Sequence, residues 1–352
     1  MTMGTGEILI AWYEENRREL PWRETRDPYL IWISEIILQQ TRVAQGLEYY
    51  TRFTARFPDV SSLASASEEE VLKYWQGLGY YSRARNLHAA SRDIMERFGG
   101  VFPSTHEEIL SLKGVGEYTA SAICSFAHGL PRATVDGNVF RVLARLHGID
   151  IPVDSGEGRR YFHSLARELL VERDPARYNQ AMMEFGALQC VPRSPDCGAC
   201  PLMERCVALA TRRVGSLPVK HGKTIVKPRY FHYLHVRSGG MTLLSKRAGK
   251  DIWQHLHEFP LIETEKPVGF EELCRDERFL ALLEGATISS ISERVAPRKH
   301  ALTHRVIHAR FYDLEVTAFS PAMQQYMQVP DERVGEYPVP RLIQYYFESL
   351  SF

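Results

Sequence analysis

Four of the six cysteines, Cys190, Cys197, Cys200 and Cys206, form the pattern C-x6-C-x2-C-x5-C, and four thiolates on one short loop can hold a cofactor. Two disulfides would use the same residues, but such frameworks belong mostly to small secreted chains. No secretory leader is expected here, because the apolar stretch 8–13 runs into Glu14, Glu15 and Arg17 without a small-residue cleavage site. A structural zinc and a [4Fe–4S] cluster remain. Zinc sites usually pair two close couples, whereas only Cys197 and Cys200 are close, so the spacing leans modestly toward iron–sulfur.

Two carboxylates stand apart from the ordinary surface acids. Glu35 lies among Ile31, Trp32, Ile33, Ile36, Ile37 and Leu38, a run with almost no polar face, so burial should raise its pKa and suit it to act as a general acid. The competing reading is a buried salt bridge to Arg18 or Arg23. Asp136 precedes a helical run from Gly137 and, read alone, is an ordinary N-cap. Amide donors and the helix dipole should hold it ionised, the opposite tuning from Glu35.

The elements that must position these groups follow from periodicity. Up to about residue 212 apolar positions recur at three and four, which predicts helices, with Ser61, Ser67 and Ser104 as candidate N-caps. Residues 214–228, with Pro218, Gly222, Lys223 and Pro228, read as a linker. Beyond it the period becomes two: residues 230–236 and 241–245 flank Gly239-Gly240 as a hairpin, and 310–316 alternates as a further strand. Charges balance, 43 Lys+Arg against 43 Asp+Glu, so any polyanion site must come from local clusters such as Arg83, Arg85, Arg92 and Arg97, or Arg193, Arg205, Arg212 and Arg213. No apolar run approaches membrane-spanning length. Between two helical segments, residues 112–120 form a glycine turn in which Gly114 and Gly116 allow sharp bending and present amides to a phosphate.

With Leu20-Pro21-Trp22-Arg23, residues 34–41, Gly77-Leu78-Gly79-Tyr80, the glycine turn, Val135-Asp136-Gly137-Asn138 and the cysteine loop in this order, the chain resembles the helix-hairpin-helix DNA glycosylases related to endonuclease III, and among them the MutY-type adenine DNA glycosylases. The resemblance implies a multidomain fold: an all-α helix-hairpin-helix glycosylase region over 1–213 with a [4Fe–4S] cluster on loop 190–206, and a C-terminal α/β Nudix-like domain over 229–352. It implies hydrolytic removal of adenine opposite 8-oxoguanine, and also opposite guanine, in double-stranded DNA, by a cytoplasmic, monomeric chain without a membrane partner.

In that scheme Glu35 protonates the leaving adenine and Asp136 stabilises the cationic sugar, a division of labour familiar from glycoside hydrolysis, with Tyr118 and Asn138 assisting. Tyr118 stands where bifunctional relatives carry a lysine, which excludes a Schiff base from this position, and Lys113 stands where the family usually has proline. The resemblance puts Arg18, Trp22, Arg23 and Gln180 beside the flipped adenine, and Gln40, Thr41, Leu78 and Tyr80 at wedge and opposite-base positions. Trp253 to Pro260 resembles the W-x-x-L-x-E-F-P run of Nudix-like domains, but the acidic metal box is missing, so no pyrophosphatase activity is expected. Leu302, Thr303 and His304 match the loop that meets 8-oxoguanine, with Leu302 replacing an aromatic. The four-residue spacing of His300, His304 and His308 falls in a strand pattern and is not read as a metal site, and Cys124 and Cys274 are expected to pack.

Overall fold

The computed structural model describes residues 3–222 and 226–350. The chain parts into two compact units, one formed by the residues up to Ser65 with Asn86–Gly222, the other by Ala66–Arg85 with the residues beyond Gly222. Segment 66–85 thus groups with the C-terminal part of the chain, not with the helical region in which periodicity alone puts it.

The first unit is helical. Its helix Pro28–Leu38 starts at Asp27, whose carboxylate accepts from the Tyr29 amide, with Pro28 in the first turn. Ile31, Trp32, Ile33, Ile36 and Ile37 are buried, each side chain contributing about 1.5–3 kcal/mol, and this surplus lets the same helix bury Glu35. Helix Gly137–His147 begins at Asp136 and ends at Gly148 in the left-handed region.

Helices His106–Ser111 and Glu117–Phe126 flank the glycine turn. Gly114 has φ +80°, and a Cβ there would meet Asn86 Cβ at 2.6 Å, so a side chain fails on both counts. Gly116 differs from the sequence reading: its backbone is ordinary and extended, and it serves as N-cap of the second helix with nothing near its missing Cβ. Ser67 caps as predicted, accepting from the Glu70 amide. Asp59 and Thr105 do the work expected of Ser61 and Ser104, accepting from the amides of Ser62 and Glu108.

Much of the predicted linker is packed. Leu217 is buried, its carbonyl accepts from Arg145 Nε at 3.1 Å, and the Val153 amide donates to the Val219 carbonyl. An apolar anchor and two hydrogen bonds hold the stretch through Val219 on the first unit, while residues 223–225 of the linker lie outside the described residues.

The second unit is built on a sheet of seven strands: β1 (Lys227–Ser238), β2 (Met241–Lys246), β3 (His257–Glu258), β4 (Leu261–Thr264), β5 (Ile288–Ala301), β6 (Arg305–Val316) and β7 (Met327–Pro330). The order is β3-β2-β1-β6-β5, with β4 also on β1 and β7 on β2. β1 and β2 form the predicted hairpin through Gly239 and Gly240, both at positive φ, and β1 and β6 run parallel. Alternation fails in the middle of β1, where six consecutive residues are buried, because both faces are covered. Leu234 and Val236 join a core with Leu243, Tyr312 and Leu314, while Tyr233 stacks on Phe311 and Phe311 on Tyr346 of helix Arg341–Leu350.

Candidate active site

A cavity of about 860 Å³ opens in the first unit, and Glu35, Tyr118, Asp136 and Asn138 all line it. Glu35 is 7 % exposed. Burial pushes its carboxyl from 4.5 up to about 7; a hydrogen bond from the Tyr118 hydroxyl pulls the other way, and the neighbouring Asp136 adds to the rise. The salt bridge weighed for Glu35 does not form. Arg18 and Arg23 both turn to Glu184, Arg18 Nε donating at 2.8 Å and Arg23 Nη2 at 2.7 Å. Burial alone would raise Glu184, but hydrogen bonds from the two guanidinium groups hold its carboxyl down at about 2. Glu35 is therefore left with the hydroxyl of Tyr118 and the more distant field of Arg23.

Asp136 accepts from the amides of Asn138 at 2.9 Å and Val139 at 2.8 Å, and from Asn138 Nδ2 at 2.8 Å. Its predicted tuning is corrected in one respect. Burial raises its pKa above the ordinary value, outweighing these donors, so in the free protein both carboxyls are shifted upward. The donors fix its orientation all the same.

Arg18, Trp22, Arg23, Gln40, Thr41 and Gln180 line the same cavity. Gln40 has φ +57°, a left-handed turn immediately after the Glu35 helix that keeps residues 40–41 at the cavity. Gln180 accepts from the Tyr13 hydroxyl at 2.7 Å, which fixes the orientation of its amide. Gly114 and Gly116 do not line the cavity, and Leu78, Tyr80, Leu302, Thr303 and His304 belong to the other unit. There the Tyr80 and Thr303 hydroxyls lie 2.8 Å apart, so two residues 223 positions apart in sequence meet. Leu78 is buried, while Tyr80 is 50 % exposed at φ +47°. His300 and His308 sit on β5 and β6, His308 stacking on Tyr230, as a strand and not a helix requires. Arg83 lies over Trp75 and Arg97 pairs with Asp93, so that cluster is engaged within the fold and does not form a free basic stripe.

Sequence reasoning missed Glu184, Tyr13, Met183 and Arg141. Glu184 was the most findable, an acid four residues after Gln180 set among Ala181, Met182, Met183 and Phe185; Met183, whose sulfur lies 3.8 Å from the Tyr118 hydroxyl, reads as core. Arg141 Nη2 donates to Asn138 Oδ1 and Nε to the Cys190 carbonyl, both at 2.8 Å, joining the Asp136 cap to the cysteine loop.

The four thiols of that loop are free and line one small hollow with Arg145, whose Nη1 lies 3.5 Å from Cys190 Sγ. Among the described residues no group of three or more His, Cys, Asp or Glu converges as the ligand set of a single ion. Thiols spread around a hollow beside a buried guanidinium suit a larger anionic group, and Cys190, Cys197, Cys200 and Cys206 would hold it. When bound, such a cluster cross-links the loop at four points.

This architecture is that of a base-excision DNA repair protein. Residues 33–166 match the HhH-GPD superfamily of base excision DNA repair proteins, residues 190–206 the iron–sulfur binding domain of endonuclease III, and residues 232–349 a NUDIX domain. The chain is 34 % identical over 260 residues to an adenine DNA glycosylase of Buchnera aphidicola subsp. Baizongia pistaciae, covering 72 % of each. It is 42 % identical over 224 residues to that of Mus musculus, covering 61 % of this chain and 44 % of the mouse protein. A solved thermostable thymine-DNA glycosylase superposes with TM-score 0.55 at 29 % identity, over 58 % of this chain and 95 % of that one. The chain belongs to the adenine DNA glycosylase family. It is a DNA-binding hydrolase of N-glycosidic bonds in base excision repair, with a [4Fe–4S] cluster on its cysteine loop. No helix among the described residues is long and apolar enough to cross a membrane.

Proposed function

We propose that the adenine removed is one mispaired with 8-oxoguanine, and also with guanine, and that Glu35 and Asp136 carry the chemistry. The observation that carries the mechanism is the buried Glu35 carboxyl, with a pKa of about 7, beside Asp136 in one cavity. Glu35 gives its proton to the leaving adenine, the bond from the sugar carbon to the base nitrogen breaks with its electrons going to the base, and the sugar becomes cationic. Asp136, oriented by Asn138 and the two amides, meets that charge as an anion, since a cation within reach favours the ionised form. Water adds its oxygen to the sugar carbon and its proton returns to Glu35. Tyr118 supplies a hydroxyl and no amine, so no covalent sugar adduct forms there and the product is an abasic site.

The roles proposed for the remaining residues follow from their chemistry. Arg18, Trp22, Arg23 and Gln180 receive the flipped base, Gln40, Thr41, Leu78 and Tyr80 fill the space it leaves, and the Gly114–Gly116 turn grips a phosphate without reading sequence. Residues 1–213 hold the catalytic groups and 229–352 read the opposite base with Leu302, Thr303 and His304. The lesion reading is supported by the Thr303 hydroxyl, hydrogen-bonded to that of Tyr80 on an exposed turn. The chain acts as a cytoplasmic monomer.

Single-turnover excision of adenine opposite 8-oxoguanine, guanine, cytosine and thymine tests the reading. Excision is fastest opposite 8-oxoguanine, slower opposite guanine and slowest opposite the other two. Equal rates opposite all four, or borohydride trapping of a covalent DNA adduct, would overturn it.

A further inference from the structure

Segment 66–85 is tied to the Nudix-like unit along its whole length. The Glu68 carboxylate meets His255 Nδ1 at 2.5 Å and that of Glu69 meets Lys246 Nζ at 2.8 Å, with His257 Nε2 at 3.7 Å. Lys73 Nζ donates to the carbonyls of Gly335 and Tyr337, Gln76 Oε1 accepts from the Val339 amide, and Arg85 Nη1 donates to the Gln254 carbonyl at 2.8 Å. Positions 69, 73 and 76 recur at helical spacing, so one face of helix Glu68–Trp75 and its C-cap is given over to this contact.

What the helix delivers is a turn of unusual geometry. Gly77, Gly79 and Tyr80 all have positive φ, and Tyr80 is the only one of the three with a side chain. A tyrosine holds that conformation only where its surroundings over-determine it. Here Trp75 Nε1 and Arg83 Nη2 both donate to the Gly79 carbonyl, and the Tyr80 ring ends on Thr303. The turn is braced by its own flanks, but its seat against the 302–304 loop depends on where helix Glu68–Trp75 docks.

We infer that the Glu69–Lys246 ion pair, with Glu68–His255 beside it, is a specificity-determining clamp that seats the Tyr80 turn against Thr303. These four are positioning residues: none touches substrate, and they act through the Tyr80–Thr303 pair. The inference rests on the reading that this pair addresses the opposite base. Loosening the clamp reduces discrimination between 8-oxoguanine and guanine while leaving the Glu35 cavity, in the other unit, unaltered.

The test compares wild type, Lys246→Glu, Glu69→Gln and the charge-swapped double variant Glu69→Lys/Lys246→Glu. Single-turnover excision is measured opposite 8-oxoguanine and guanine, and amide hydrogen exchange is measured over residues 76–81. Lys246→Glu should lower the 8-oxoguanine to guanine rate ratio about fivefold, the upper range for a partly exposed pair, with little change opposite guanine and faster exchange in the turn. Glu69→Gln should act in the same direction, and the double swap should restore both readouts. The clamp is overturned if the ratio stays fixed, if both rates fall together, or if the swap restores neither readout. Absence of any preference in the wild type defeats the functional reading instead, and exchange in the variants then decides whether the clamp exists.

Discussion

Replacing Glu35 with glutamine removes a carboxyl that the fold must keep protonated, and the energetic consequence can be worked from its surroundings. Folding raises the pKa from 4.5 to about 7, so between these values the folded chain binds the proton more tightly than the unfolded one. Stability from this group is fully present below about 4.5 and is lost as pH rises through about 7. The full loss is on the order of 3 kcal/mol at pH 8.5, and about 1 kcal/mol at pH 5. Glutamine has nearly the same shape and never ionises, so Glu35→Gln should be more stable than wild type by those amounts. At about 2–4 °C per kcal/mol, the melting temperature at pH 8.5 should rise by roughly 6–12 °C. Urea unfolding and scanning calorimetry at pH 5 and 8.5 measure the gap directly, while the variant loses excision. A stability gap that does not widen with pH, or a variant less stable than wild type at pH 8.5, would refute the claim that Glu35 sits in a desolvated site without a salt-bridge partner.

Two further predictions test the neighbours. Tyr118→Phe removes the hydrogen bond that lowers the Glu35 pKa, so the alkaline limb of the excision profile should move up by about one pH unit; Asp136→Asn removes the charge that raises it, and the limb of the residual activity should move down. Glu184→Gln should cost about 2–3 kcal/mol in urea unfolding at pH 7; because folding lowers the Glu184 pKa from 4.5 to about 2, that difference should be present above about 4.5 and vanish as pH falls through about 2.

Helices, hairpin and the chemistry-bearing pairs were legible because each is written locally. The apolar run around Glu35 dictates burial, Asp136 before a helical run dictates a cap, and Gly239-Gly240 between alternating segments dictates a turn. What the sequence could not supply was the choice among partners distant in the chain. Arg18 and Arg23 were within reach of two acids, and only the fold shows that they take Glu184, 161 or more residues away, and leave Glu35 to Tyr118. The net shift on Asp136 was missed because burial is a property of everything packed around it, whereas its amide donors lie two and three residues on. Segment 66–85 has helical periodicity like its neighbours, and only ion pairs to Lys246 and His255 reveal the unit with which it packs.

The proton on Glu35 is the centre of the account, and the pH dependence of single-turnover adenine excision by the wild-type protein measures it most directly. With a pKa of about 7 the rate should fall about tenfold for each pH unit well above that value, and a separate acid limb should appear where Asp136, its pKa raised by burial, takes up its proton. A rate that stays level through pH 8.5, or that begins to fall near 4.5 as for an ordinary carboxyl, would contradict a general acid at this position.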